Sequence, residues 1–196
     1  MLPIQIHGKS TQQIKLLEDS DAPSLHEFCT ACKDLGYKNN ESFQAIKLDK
    51  MKLPYGQFFI GLDKNKIFTL AGIHHLPELH PHAWRCLFRG AQLPGYTPEW
   101  STNPFKSIIH ISHLLYYQIL LIKEIDPNAE FYISTNVNND TGAKSFRMNK
   151  TIMPKIEKMG ICNLHSKNID LFNVRQNIWK IDVNEYIRQR SLYLQS

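Results

Sequence analysis

Residues 130–161, EFYISTNVNNDTGAKSFRMNKTIMPKIEKMGI, read as a strand, a turn and a helix in succession. Phe131-Tyr132-Ile133-Ser134-Thr135 is aromatic and β-branched, with no Gly or Pro, and so reads as a strand. Asn136-Val137-Asn138-Asn139-Asp140 stops it, because Asn and Asp side chains hydrogen-bond the local backbone and tolerate turn geometry. From Asp140 or Thr141 the spacing turns helical, with Ala143, Phe146, Met148, Ile152 and Ile156 as apolar points. Gly160 suits the helix stop, and Ile161 opens a further strand. A strand feeding a helix through such a turn leaves backbone amides and carbonyls free for a ligand's amide or phosphate groups. The segment therefore predicts a binding crevice.

Working outward, Phe105–Ile125 is nearly apolar all round and is expected in the middle of the fold, packed on a sheet. His110, Ser112, His113 and Gln118 interrupt it too often for a membrane span. Ala83–Ala91 reads as a strand, and Phe58–Leu62 and Ile67–Ile73 flank Asp63-Lys64-Asn65-Lys66 as a hairpin. Upstream, Ile14–Leu17 reads as a first strand. A helix is expected from Pro23 to about Leu35, capped by Ser20 or Asp21 and ended by Gly36. A second helix is expected over Ser42–Met51. Downstream, strands are expected over Asn168–Val174 and Asn177–Val183, then a short helix from Asn184.

The order β-α-α-β-β-β-α-β-α-β-β predicts an α/β fold: a mixed, mostly antiparallel sheet of six or seven strands with about four helices. At 196 residues, with 42% hydrophobic residues, the chain is expected to form one domain over 1–196 with a substantial core. The N-terminus lacks the basic and long apolar regions of a signal peptide, so the cytoplasm is the expected compartment. Charge is uneven: residues 144–196 hold ten basic and four acidic residues, the rest of the chain 13 and 14. A basic final quarter fits a phosphorylated cofactor, a nucleic acid, an acidic partner or a solvated face. Its basic residues alternate with core positions rather than forming one stripe, which argues against nucleic acid.

The element order and local motifs together resemble the GNAT superfamily of acyl-CoA-dependent N-acyltransferases. Ile14–Ala22 looks like that family's first strand and entry to its first helix, and Gly56–Leu76 like its hairpin of second and third strands. Asn139, Ala143 and Lys158-Met159-Gly160-Ile161 look like its asparagine after the fifth strand and the close of its fourth helix. The resemblance implies acetyl-CoA or another acyl-CoA as co-substrate, with its pantetheine arm between the fourth and fifth strands. It also implies an acceptor that is a small-molecule or peptide amine, and no membrane partner. The family's pyrophosphate loop is met by Gln92-Leu93-Pro94-Gly95-Tyr96-Thr97, although Pro94 removes one amide donor. A second cradle is Ser101–Ser107, with Asn103 as cap and Pro104 at the first helical position.

On this resemblance the Leu87-Phe88 backbone, Gln92, Gly95, Tyr96, Thr97, Asn136 and Asn139 hold the cofactor. Lys106, Lys144 or Arg147 neutralise its phosphates. The family's leaving-group tyrosine aligns with Arg147, and no tyrosine occurs in the predicted helix. The general base is assigned to His74 or His75, with Tyr116, Tyr117 and Tyr132 as further candidates. A binding protein of the same fold without transfer chemistry stays open, as does a relative making small acylated signals. Four histidines within 74–82 suggest metal, but their spacing matches no zinc motif and two prolines stiffen the segment. Cys29-Thr30-Ala31-Cys32 falls inside a helix rather than at its start, so buried, reduced thiols are expected there and at Cys86 and Cys162.

Overall fold

A computed structural model describes residues 4–5, 12–34, 56–93, 104–138, 148–171 and 173–195. The chain divides into two compact units, one of Met1–His75 with Leu87–Leu120, the other of Leu76–Cys86 with Leu121–Ser196.

The first unit begins with β1 (Ile4–Gln5) and β2 (Gln12–Leu16), followed by a 3-10 turn at Asp19–Asp21 and α1 (Ala22–Asp34). β3 (Gly56–Asp63) and β4 (Lys66–His75) form the expected hairpin. Lys64 and Asn65 have φ of 48° and 65°, the two left-handed residues a type I′ turn requires. β1, β2, β3 and β4 are successive antiparallel neighbours, and β5 (Ala83–Gln92) follows β4 in the strand order. The core of this unit forms because α1 carries Leu25, Phe28, Cys29 and Cys32 at i, i+3, i+4 and i+7. That stripe lies against Phe58, Ile60, Leu62, Ile67 and Leu70 from the hairpin. Two glycines make the hairpin close enough to pack: a Cβ on Gly61 would lie 2.5 Å from Thr69 Cγ2, and one on Gly72 2.8 Å from Phe58 Cε1. At the entry to α1, the Asp21 carboxylate accepts the Glu18 N–H at 2.9 Å and pairs with Lys15 at 2.8 Å.

α2 (Pro104–Ile125) starts at the proline expected to open it, and like β5 it begins in one unit and ends in the other. The second unit contains the start of β5, then β6 (Glu130–Asn136), a π-helical turn at Met148–Ile152 and α3 (Met153–Lys158). β7 (Cys162–Leu171), β8 (Val174–Ile181) and α4 (Val183–Gln195) complete it. The strand order here is β5-β6-β8-β7. β5 and β6 are parallel over three pairs, Ala83–Glu130, Trp84–Phe131 and Arg85–Tyr132. β6 is antiparallel to β8 from Tyr132–Lys180 to Asn136–Gln176. Leu76, Ala83, Tyr132, Leu171 and Ile178 form one buried cluster of this unit. Gly160, at φ 75°, ends α3 as expected, its N–H bonded to Glu157 O at 2.8 Å.

Three expectations change. Among the described residues the sheet strands number eight, because the two residues of β1 pair with β2. The strand expected over Asn168–Val174 straddles a turn: Asn173 has φ 60°, and the ladder closes at Leu171–Val174. Sequence spacing missed that turn because Asn173 supplies the left-handed residue without a neighbouring Gly or Pro. The helix after β6 opens, in its described part, as a π turn rather than α. The helix expected over 42–51 lies outside the described residues. Among the described residues, no helix is long and apolar enough to cross a membrane.

Gly72→Ala should lower unfolding free energy by about 1–3 kcal/mol, because its methyl must displace the Phe58 ring. Urea denaturation tests this, and Phe58→Leu in the same background should recover part of the loss.

Candidate functional site

In the first unit, the irregular point is Leu87. Its φ of 55° lies in the left-handed region, which costs an L-residue with a branched side chain about 1–2 kcal/mol. The strand therefore kinks in its middle, and the Leu87 N–H donates to a side chain, Gln118 Oε1, at 3.2 Å. Gln118 is fully buried in α2 and donates its Nε2–H to Ala71 O of β4 at 3.1 Å. Beyond the kink the carbonyl of Leu87 turns toward Gly90, where a Cβ would stand 3.2 Å away. Phe88 follows, tilted against Phe58 at 6.3 Å between ring centroids and edge-on to His74 at 4.8 Å. The His74 Nδ1–H donates to His75 O at 2.9 Å, which leaves Nε2 as the basic nitrogen of that ring.

In the second unit, the C-terminal end of β6 carries a connected polar network. Asn136 is buried, and its Oδ1 accepts the Asn138 N–H at 3.0 Å, the Asx turn that the asparagine-rich sequence predicts. On the preceding residue, Thr135 Oγ1 accepts Trp179 Nε1–H at 3.0 Å, so its own proton goes to Asn149 Oδ1 at 3.2 Å. Asn177 Oδ1 accepts the Asn168 N–H at 3.0 Å, which turns its NH₂ to the same Asn149 oxygen at 2.9 Å. Two donors thus fix Asn149 with its oxygen inward, and its NH₂ remains to donate elsewhere. Asn149 sits in the π turn, an irregularity common at functional positions. Beside this network, Arg85 donates to Gln176 Oε1 at 3.2 Å, and Gln176 donates to Leu171 O at 2.9 Å.

The expected site residues are distributed as follows. Leu87, Phe88 and His74 come together in the first unit, and Gln92 ends β5 half-buried. Lys106 lies in the first turn of α2. Asn136 lies at the end of β6 in the second unit. Gly95, Tyr96, Thr97, Asn139, Lys144 and Arg147 lie outside the described residues, as does the 101–103 part of the second cradle. Tyr116 and Tyr117 stack edge-on to one another at 5.3 Å. Reading the sequence missed Gln118 and Asn149. The first is legible as the one amide among Leu114, Leu115, Tyr117, Ile119 and Ile122; the second carries no local signal, since its partners come from β6 and β8.

The remaining tyrosine candidate is committed elsewhere. Tyr132 O–H donates to Glu130 Oε2 at 2.6 Å, and the same oxygen meets Lys180 Nζ and His80 Nε2, each at 2.8 Å. The His82 N–H donates to His80 Nδ1 at 3.1 Å, which places the His80 proton on Nε2, facing Glu130. Burial and the Glu130 charge push the Tyr132 hydroxyl well above its ordinary range. His82 pairs with Asp126 at 3.1 Å, and Trp84 Nε1–H reaches the same carboxylate at 3.3 Å. Burial opposes ionisation of Asp126, but these donors outweigh it and lower its pKa. The four cysteines are buried and unbridged. Burial pushes Cys29 to about 11 and Cys162 to about 12, so they remain thiols and pack as small apolar groups.

No protein-family model and no curated protein matches this chain. Solved structures do. The ribosomal-protein-S5-alanine acetyltransferase from Vibrio fischeri aligns over 94% of this chain and 98% of its own, at 11% identity and a TM-score of 0.56. RimL, the ribosomal L7/L12 α-N-protein acetyltransferase in complex with coenzyme A, aligns over 88% and 94%, at 10% identity and a TM-score of 0.55. A GNAT-family acetyltransferase from Staphylococcus aureus Mu50 aligns over 87% and 98%, at 13% identity and a TM-score of 0.56. The chain has the fold of the GNAT acetyltransferases.

Lys180 foremost, then Tyr132 and His80, hold the Glu130 carboxyl at about 2 against an ordinary 4.5, with burial opposing them. The folded value lies below the unfolded one, so this stabilisation is complete above about 4.5 and is lost as pH falls from there toward about 2. The melting temperature of Glu130→Gln should therefore fall less steeply than that of the parent across that window. Parallel curves would show that the cluster contributes nothing to acid stability.

Proposed function

We propose that this chain transfers an acetyl or other acyl group from acyl-CoA to an amine. The observation that carries the reading is the left-handed Leu87 in the middle of β5, on a chain with the fold of CoA-dependent acetyltransferases. A regular strand uses every amide in its ladder; a kinked one turns some aside, where they can meet a ligand's carbonyl. The backbone after Leu87 supplies the donors we assign to the acyl-CoA, and the start of α2 with Lys106 is assigned to its phosphates. The whole chain is read as one acyltransferase domain.

The chemistry is direct. The lone pair of a neutral amine attacks the thioester carbonyl, backbone donors stabilise the oxygen as it gains charge, and the C–S bond breaks to release CoA. A base must first take the proton of the substrate ammonium, and His74 Nε2 is the atom we assign to it, since Nδ1 is fixed as the donor; His75 is its alternative. A peptide amine is the acceptor class best supported, because similar structures are described as acetyltransferases of ribosomal proteins, one modifying an N-terminal serine. One observation favours a second reading as a CoA-binding protein without turnover: α3, Met153–Lys158, holds no tyrosine to protonate the leaving thiolate.

Acetyl-CoA and CoA should each raise the melting temperature in a dose-dependent way, and ATP should not. Asn139→Ala should weaken acetyl-CoA binding about 5- to 30-fold, the loss of one well-placed hydrogen bond. Absence of any shift at millimolar acetyl-CoA overturns the assignment. Thiol release on adding an N-terminal serine peptide separates transfer from binding alone.

A further inference from the structure

Gln118 is out of place by composition. It lies in α2 among Leu114, Leu115, Tyr117, Ile119 and Ile122, all buried, and is itself fully buried. A leucine there would be desolvated at no polar cost, so the amide needs a reason. Both ends of its carboxamide are used, and each reaches a different strand: Nε2–H donates to Ala71 O of β4, and Oε1 accepts the Leu87 N–H of β5. The second of these backbone groups belongs to the residue that departs from strand geometry. A left-handed leucine persists only when its surroundings over-determine it. Here the surroundings are the carboxamide on one side and, on the other, Gly90, whose missing Cβ leaves room for the Leu87 carbonyl at 3.2 Å.

We propose that Gln118 is a positioning residue: by tying Leu87 N–H to Ala71 O through one rigid amide, it holds the kink in β5 and so sets the direction of the backbone donors that follow. This rests on the acyl-CoA reading for its ligand, but the clamp itself does not. Because the carboxamide is planar, its oxygen and nitrogen cannot move independently, so a shift of α2 is passed directly to the kink. The same helix begins with the Pro104–Lys106 turn, so one element carries both the assigned phosphate end and the clamp. Gln118 touches no reacting atom on this account; its contribution runs through the backbone of Leu87.

The test uses Gln118→Met, close in volume and without either hydrogen bond, read by amide hydrogen exchange and by calorimetric titration with acetyl-CoA. In the parent protein the Leu87 amide should exchange as slowly as its β4 neighbours; fast exchange there overturns the clamp without any variant having to fold. In folded Gln118→Met, Leu87 should lose at least about tenfold in protection, and the acetyl-CoA dissociation constant should rise by about fivefold or more, the equivalent of one net hydrogen bond. A purely structural glutamine would lower the melting temperature but leave the dissociation constant of the folded protein within about twofold, and that result overturns the proposal. A double-mutant cycle with Leu87→Gly adds a readout of its own. Glycine adopts the left-handed region freely, so Gln118→Met should cost less affinity in that background than beside Leu87. If the parent protein binds no acetyl-CoA, the functional reading fails, while the exchange of Leu87 still decides whether Gln118 holds the kink.

Discussion

The rest of the architecture depends on one short parallel ladder in a sheet whose other described pairings are antiparallel. β5 and β6 run side by side over Ala83–Arg85 and Glu130–Tyr132. Parallel neighbours cannot be joined by a tight turn; the chain must cross over, and a helix is the usual way to do it. That requirement accounts for α2, the longest helix described, and for its apolar character, since a crossover helix lies on the sheet it serves. It also accounts for the polar fastening at its end, where Asp126 gathers His82 and Trp84, and for the pairing of Glu130 N–H with His82 O at 2.8 Å. The ladder is only three residues long, so these flanking bonds secure its register.

Buried polar groups show where the structure departs from regularity. An unbonded amide in a core is costly, so each such group here is placed where backbone or another side chain completes it. Gln118 satisfies a strand that has kinked. Thr135, Asn149, Asn177 and Trp179 satisfy one another where a π turn meets β6 and β8. In both cases a hydrogen-bonded network fixes one orientation of a group that packing alone would leave free, which is the condition for presenting a donor to a ligand at low entropic cost. The Glu130 cluster is of another kind: its carboxylate already receives Lys180, Tyr132 and His80, so it is closed on itself and reads as structural.

Much of the fold was legible from residue order. Alternation and aromatic content located β5 and β6, Asp63–Lys66 located the hairpin, and Gly160 located the end of α3. The misplaced turn before β8 shows the limit of such reading. Asn173 supplies the left-handed residue that elsewhere a glycine would signal. The site was less legible. His74 and Phe88 are in ring contact beside Leu87, but the left-handed φ of a leucine is invisible in sequence, where leucine argues for regular structure.

By itself, then, the sequence determined the element order, the apolar faces and the glycine positions where backbones approach closely, because these follow from side-chain volume, periodicity and φ preference within a few residues. Only the tertiary structure decided that β8 lies between β6 and β7, that Gln118 spans β4 and β5, and that Asn149 is fixed against β6. The last two depend on groups 14 to 47 residues apart satisfying one another's hydrogen bonds, and no local pattern encodes which distant partner a buried polar group will meet.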